Sequence, residues 1–293
     1  MLENGSALEM PWRDDVDAIV ETYLAGEAVG EATWDILLGK VNPSGKLAES
    51  FPVKLADNPS YLEFDADLKE ENYRESIFVG YRYYDKKQIP VLFPFGYGLS
   101  YTTFSYTNLH LSDNSEKILI QFDLENTGEI GGAEIAQLYF SNQASRIEKP
   151  IKELKNFVKV YLEPGEKKTI NCSLNQRDLS WYNPEISAWQ LDNGRYEIFI
   201  GSSSRDIRLD KSIEINWKQN KNQEITLDSY LVDILKNEKL KKILEESDIN
   251  ESVKKLSQDD SSREIMTNMP LRSLTVMGIT NDQIDRFIEM TKI

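Results

Sequence analysis

The sequence predicts a mainly β protein: an all-β sandwich, preceded by a partial α/β layer and followed by a small helical tail. Three observations predict this. From about residue 103, apolar and polar residues alternate in short runs separated by turn residues. Before residue 50, apolar residues recur at three- and four-residue spacing. After residue 225 that helical period returns. With 293 residues, 40% of them hydrophobic, the chain has material for about two domains.

In chain order, residues 11–40 read as two helices. Pro11 suits a first helical turn. Val16, Ile19, Val20, Tyr23 and Leu24 would form one apolar face. A second helix after Gly26 would point Ala28, Ala32, Ile36 and Leu37 inward and stop at Gly39. NPSGKL (42–47) reads as a turn cluster before a short strand ending in SFP. Two helices and one or two strands cannot bury both faces of a sheet, so this opening reads as the edge of an α/β layer. Residues 58–90 read as irregular and rich in aromatics, among them Tyr73, Phe78, Tyr81, Tyr83 and Tyr84.

The sandwich strands follow. Ile118, Ile120, Phe122 and Leu124 alternate with polar neighbours before the turn Asn126-Thr127-Gly128. Ala136, Leu138 and Phe140 share a face in EIAQLYF. FVKVYL, KTINCSL, RYEIFIG and the run holding Ile207, Leu209, Ile213 and Ile215 alternate likewise, separated by PGE (164–166) and DNG (192–194). In the tail, Asp228 reads as the cap of a helix carrying Leu231, Ile234, Leu235, Leu240, Ile243 and Leu244. Residues 246–262 read as polar and loose. Thr280 and Gln283 form a capping box ahead of Ile284, Phe287 and Ile288.

Composition removes several function classes. The chain has 34 basic and 49 acidic side chains, a formal net charge of −15. Phosphate recognition needs clustered Lys and Arg, so neither nucleic acid nor an anionic membrane is an expected partner. The lone Cys172 allows no intramolecular disulfide and suits a cytoplasmic location. The lone His110 leaves no room for Ser-His-Asp chemistry or a multi-His metal site. No metal and no cofactor is expected. No apolar run approaches the ~20 residues that span a bilayer, and MLENGSALEMPWRDDVD lacks the basic start and apolar core of a signal peptide.

Several long motifs carry a family resemblance. NPSGKLAESFP (42–52), YRESIFVGYRYYD (73–85) and VLFPFGYGLSYTTF (91–104) resemble the C-terminal part of a glycoside hydrolase family 3 β-glucosidase. NTG (126–128), GGAEIAQLYF (131–140), KPIKELKNFVKVYLEPGEKKTI (149–170), RDLSWY (177–182) and GRYEIFIGSSSRDIRL (194–209) resemble that family's fibronectin type III-like domain. The likeness covers roughly residues 4–210; MPLRSL (269–274) is more weakly similar to some bacterial tails. With the periodicity read above, four segments are expected: the end of an α/β sandwich domain (1–57), an aromatic-rich connector (58–102), a fibronectin type III-like sandwich (103–217) and a helical tail (218–293). The resemblance also implies that the aspartate nucleophile and glutamate acid/base lie outside this chain, which would be the scaffold of an enzyme hydrolysing β-glucosides or oligosaccharides. A missing N-terminal part, as a separate chain, is one possible partner. Ser76 stands where the family commonly has glycine.

No catalytic residue is therefore assigned, and no substrate-binding residue is identified. Glu27, Glu31 and Asp35 fall at helical spacing but read as a solvated face, as do Asp14, Asp15 and Asp17. The aromatic run 73–85 reads as inter-domain core in preference to a sugar platform. His110 reads as a strand-surface residue, Cys172 as an inert buried thiol, and most of the five tryptophans as core or interface anchors. GSSSRD (201–206) reads as a turn, and NPSGKL lacks the spacing of a phosphate loop. VLFPFGYGLSYTTF reads as the joint between the α/β layer and the sandwich, its rings filling a seam and its glycines allowing close backbone approach. The alternative to an enzyme part is a non-catalytic carbohydrate- or protein-binding module, suggested by the density of tyrosine.

Overall fold

A computed structural model describes residues 1–64, 72–184, 188–218, 225–256 and 265–292. The chain divides into two units: residues 1–181 with 189–218, and residues 182–188 with 219–293. In the first unit, seven strands form two facing antiparallel sheets. One has the order β11 (Ile207–Ile215), β10 (Gly194–Gly201), β5 (Gly132–Asn142), β6 (Glu153–Leu162). The other has the order β3 (Phe104–Asp113), β4 (Lys117–Asn126), β7 (Lys167–Asn175). A one-turn helix, α3 (Gln176–Leu179), and two short strands, β8 (Trp181–Asn183) and β9 (Ala188–Gln190), complete the stretch between β7 and β10.

Period-two patterning explains the core. On β4, Ile118, Ile120, Phe122 and Leu124 all turn inward, opposite Leu174, Cys172, Ile170 and Lys168 of β7. Ala136, Leu138 and Phe140 of β5 and Tyr196, Ile198 and Ile200 of β10 supply the other wall. Asn126, fully buried in the NTG turn, donates to the carbonyls of Ile130 and Leu162 and accepts from Thr102 and Gly128, so the turn is held from both sheets.

The alternation fails on β5, and that failure matters. Gln137 and Tyr139 have outward parity on β5, yet both are buried. The N-terminal segment covers them. That segment contributes α1 (Val29–Leu37), a two-stranded ribbon of β1 (Phe51–Pro52) and β2 (Val91–Phe93), and the six-residue α2 (Tyr81–Lys86). The aromatic stretch read as irregular thus contains a helix, which turns Tyr81 and Tyr84 into the interior. Gly80 with φ +55 and Ser76 with φ +53 set the chain's path into it. A positive φ at Ser76 gives a physical reason for a glycine at that position.

The first expected helix does not form. Only a 3-10 turn spans Arg13–Asp15, and beyond it the backbone extends to a parallel bridge between Leu2 and Glu21. Leu2 N–H donates to Val20 O, and Thr22 N–H to Leu2 O. Val16, Ile19, Val20 and Thr22 are β-branched, which lowers helix preference and suits extended backbone. α1 does end at a left-handed Gly39, but it buries no residue: Leu37 is exposed, contrary to the inward role read for it, and Trp34 is exposed as well.

The second unit is helical, with its own core of Leu231, Ile234, Leu244, Leu271, Ile284 and Phe287 among others. The single helix expected after Asp228 is two: α4 (Leu231–Lys236) and α5 (Glu238–Glu246), broken at Asn237, whose side chain accepts from the Lys239 and Leu240 amides. Asp228 caps nothing and pairs with Arg272 at 2.6 Å. Part of the stretch read as loose is α6 (Asn250–Leu256), pinned by buried Val253; residues 257–262 of that reading lie outside the described residues. Thr280 and Gln283 form the reciprocal capping box of α7 (Asn281–Thr291).

Candidate functional site

The densest polar and aromatic construction lies on the outer face of β5, where residues 42–50, 81–104 and 202–206 meet the sandwich. Its floor is aromatic. Tyr81 stacks on Phe95 at 5.0 Å and meets Tyr139 edge-on at 5.9 Å. Phe93 packs against Phe51 and Tyr97 at 6.4 and 5.4 Å. The Tyr81 hydroxyl accepts from the Leu154 amide, at the bulge where β6 departs from β5.

Backbone approach is equally close. Gly96 has φ +79, and a Cβ on it would run into the Gln137 amide; one on Gly98 would meet the Gly45 carbonyl. Gln137 Nε2 donates to Gly96 O at 3.0 Å and Ser202 O at 2.8 Å, and its Oε1 accepts from the Tyr139 hydroxyl at 2.6 Å. Leu47 N–H donates to Tyr97 O and Gly96 N–H to Leu47 O, while Ser204 N–H donates to Phe95 O. The run 91–104 therefore is a joint, as its glycines and rings suggest.

Buried ion pairs lock the same surfaces. Asp85, at the end of α2, accepts from Lys152 Nζ at 2.7 Å and Arg205 Nε at 2.9 Å. The Asp85 and Lys152 side chains are 8% and 13% exposed. Lys46 pairs with Glu134 at 3.0 Å and donates to Gly98 O. NPSGKL is thus no phosphate loop: its lysine is neutralised, and Asn42 binds Gly131 O, Ser100 and the Tyr101 amide. GSSSRD is a turn, but a buried one that clamps the joint; nothing in its local composition signals this.

Two cavities flank the joint. One, of about 360 Å³, is lined by Asp85, Ile89, Lys152 and Arg205. The other, of about 470 Å³, is lined by residues that include Lys46, Tyr97, Tyr106, Glu134, Asp206 and Arg208. The carboxylates in both are paired: Asp85 as above, Glu134 with Lys46, and Asp206 with Arg208 at 2.7 Å. Burial pushes the Asp206 carboxyl up, but hydrogen bonds from Arg208 and Ser202 outweigh it and hold the group below its ordinary range. That is opposite to what a general acid needs.

The other candidates sit apart from this surface. Glu27 and Glu31 are solvated, and Asp35 pairs with Lys40. Asp14, Asp15 and Asp17 are exposed, as is His110 on β3. Cys172 is half-buried against the core, and burial pushes its thiol up to about 11. Trp217 is a core anchor whose indole donates to Asp113. Asp192 of the DNG turn is buried, accepting from Arg146 and from the Trp181 indole. Among the described residues no cluster of three or more His, Cys, Asp or Glu is placed to hold a metal ion.

The two sheets define a fibronectin type III-like sandwich, with a small α/β segment docked on β5. Comparison with known proteins agrees: a fibronectin type III-like domain matches residues 134–204, and the glycosyl hydrolase family 3 C-terminal domain matches residues 1–101. The chain belongs to glycosyl hydrolase family 3 and corresponds to the C-terminal portion of its β-glucosidases. It is 44% identical over 284 residues to thermostable β-glucosidase B of Acetivibrio thermocellus, covering 94% of this chain and 37% of that protein. It superposes on the β-glucosidase of Kluyveromyces marxianus in complex with glucose with a TM-score of 0.71 at 45% identity, covering 73% of this chain and 26% of that one. The β-glucosidase of Bifidobacterium adolescentis gives a TM-score of 0.71 at 32% identity over 83% of this chain and 36% of that one. The chain thus spans well under half the length of these relatives.

Proposed function

We propose that this chain is the structural buttress of a cytoplasmic β-glucosidase that hydrolyses O-glycosyl bonds of β-glucosides or oligosaccharides, with the nucleophile and acid/base supplied from outside residues 1–293. Retaining glycosidases need two carboxylates about 5–5.5 Å apart, one kept protonated. The observation that carries the reading is that the carboxylates of both cavities at the joint are committed to ion pairs. What the chain supplies is rigidity: a sandwich riveted to the end of the α/β layer holds that layer's loops in place. Leu24, Trp34 and Leu62, exposed at 80%, 62% and 81%, support a further part of the enzyme seating on the N-terminal segment.

The purified chain is expected to release no aglycone from an aryl β-glucoside in a spectrophotometric assay. Turnover abolished by a single substitution within residues 1–293 contradicts the proposal.

A further inference from the structure

Asparagine is followed directly by glycine twice, at Asn4-Gly5 and Asn193-Gly194. Such a pair carries its own chemistry. The glycine backbone nitrogen can attack the asparagine side-chain carbonyl carbon, and the attack is intramolecular. Glycine has no Cβ to crowd the nitrogen or restrict the backbone that brings it there. The Cγ–Nδ2 bond then breaks, and the displaced nitrogen leaves as ammonia with the proton of the glycine N–H. A succinimide ring remains. Water opens it at either carbonyl, giving aspartate or isoaspartate.

The fold treats the two pairs differently. Asn193 is held at both side-chain atoms: Nδ2 donates to Trp217 O at 2.9 Å, and Oδ1 accepts from the Trp217 amide at 3.1 Å. Trp217 is itself a core residue, and Gly194 opens β10 opposite Ile215 of β11. For the Gly194 nitrogen to reach the Asn193 side-chain carbon, that side chain must give up both bonds. Asn4 is held by one. Its Nδ2 donates to Ser6 O at 2.8 Å, a bond spanning two residues that ties Asn4 to no other element, and its Oδ1 has no partner. Gly5 is exposed and lies in a bend outside every strand and helix, so water reaches a ring formed there. We propose that Asn4 is a self-modifying site, converting through a succinimide to aspartate and isoaspartate, while the Trp217 backbone keeps Asn193 intact. Aspartate adds a negative charge next to Glu3 in a chain already at −15. Isoaspartate routes the main chain through the side-chain carbon, two residues from the Leu2–Glu21 bridge, and leaves a free α-carboxylate that a carboxyl methyltransferase can esterify. The inference does not rest on the buttress reading.

Incubation of the 293-residue chain at mildly alkaline pH, followed by peptide mapping in a mass spectrometer, tests it. Conversion at Asn4 is expected to run about thirtyfold ahead of conversion at Asn193, the factor that two hydrogen bonds of ordinary strength supply. Isoaspartate at residue 4 is read by methyl transfer from S-adenosylmethionine with an isoaspartyl carboxyl methyltransferase. Unfolding in denaturant should erase the difference between the two sites. Gly5→Ala is the diagnostic variant. Gly5 has no left-handed φ, and an added Cβ meets only Leu24, at 3.6 Å, so the fold accepts alanine while its Cβ crowds the attacking nitrogen. Conversion at residue 4 should then be lost over the same incubation, with Tm unchanged. Equal rates at the two sites in the folded chain, or a faster Asn193, overturn the proposal. So does a difference that persists in denaturant, or conversion at residue 4 that Gly5→Ala leaves unchanged.

Discussion

Gly96→Ala is expected to destabilise the sandwich unit by about 3–4 kcal/mol, from two costs that add. The φ of +79 is left-handed, which costs a residue with a Cβ about 1–2 kcal/mol. The new Cβ would also displace the Gln137 amide, which donates to Gly96 and Ser202 and accepts from Tyr139. Shifting the amide breaks about two of these three hydrogen bonds, at about 1 kcal/mol each. For a unit of this size the sum lowers Tm by roughly 6–15 °C in calorimetry. Gly165→Ala is the control: its φ is +74, yet nothing lies within 4 Å of the added Cβ, so only the backbone cost of about 1–2 kcal/mol applies. Equal losses at the two glycines would mean that the joint does not constrain the backbone.

Asp85→Asn is expected to cost about 3 kcal/mol. It leaves the Lys152 ammonium, 13% exposed, without its carboxylate, and removes the partner of Arg205. Stranding a buried charge typically costs 3–5 kcal/mol. The low end applies because the Arg205 side chain is 33% exposed and keeps its bond to Ile89 O. Denaturant unfolding of Asp85→Asn beside Glu125→Gln measures this. Glu125 pairs with Lys167 at the surface, with side chains 33% and 47% exposed, and its loss should cost less than about 1 kcal/mol. A comparable small loss at Asp85 would mean the ion-pair cluster does not hold α2 to the sandwich.

Both residues show where the sequence is silent. The sandwich is legible because each strand has one dry face, so Ile118, Ile120, Phe122 and Leu124 announce their side by spacing alone. The joint is legible because a charge-free run with two glycines and a proline has to be buried yet cannot be a long helix. Lys152 and Arg205 are separated by 67 and 120 positions from the Asp85 carboxylate that they share, and no local pattern relates them. Burial of Gln137 and Tyr139 depends on a covering segment about 40 to 60 positions upstream, so β5 reads as half-wet where, at these two positions, its outer face is dry. The misread first helix has another cause: over residues 16–24 a short apolar run satisfies both periods, and its β-branched side chains and the Leu2 backbone decide for extension. The broken tail helix turns on Asn237, whose side chain competes for backbone amides in mid-helix.

Residues 42–50 and 81–104 form one cooperative unit with the sandwich. Native-state hydrogen exchange of the Gly96 and Ser204 amides, which donate to Leu47 and Phe95, tests it most directly. If the joint is part of that unit, both amides exchange only through global opening, with the same free energy as the amides of central strand β4. Exchange of Gly96 and Ser204 through a lower-energy opening, while β4 stays protected, would contradict it.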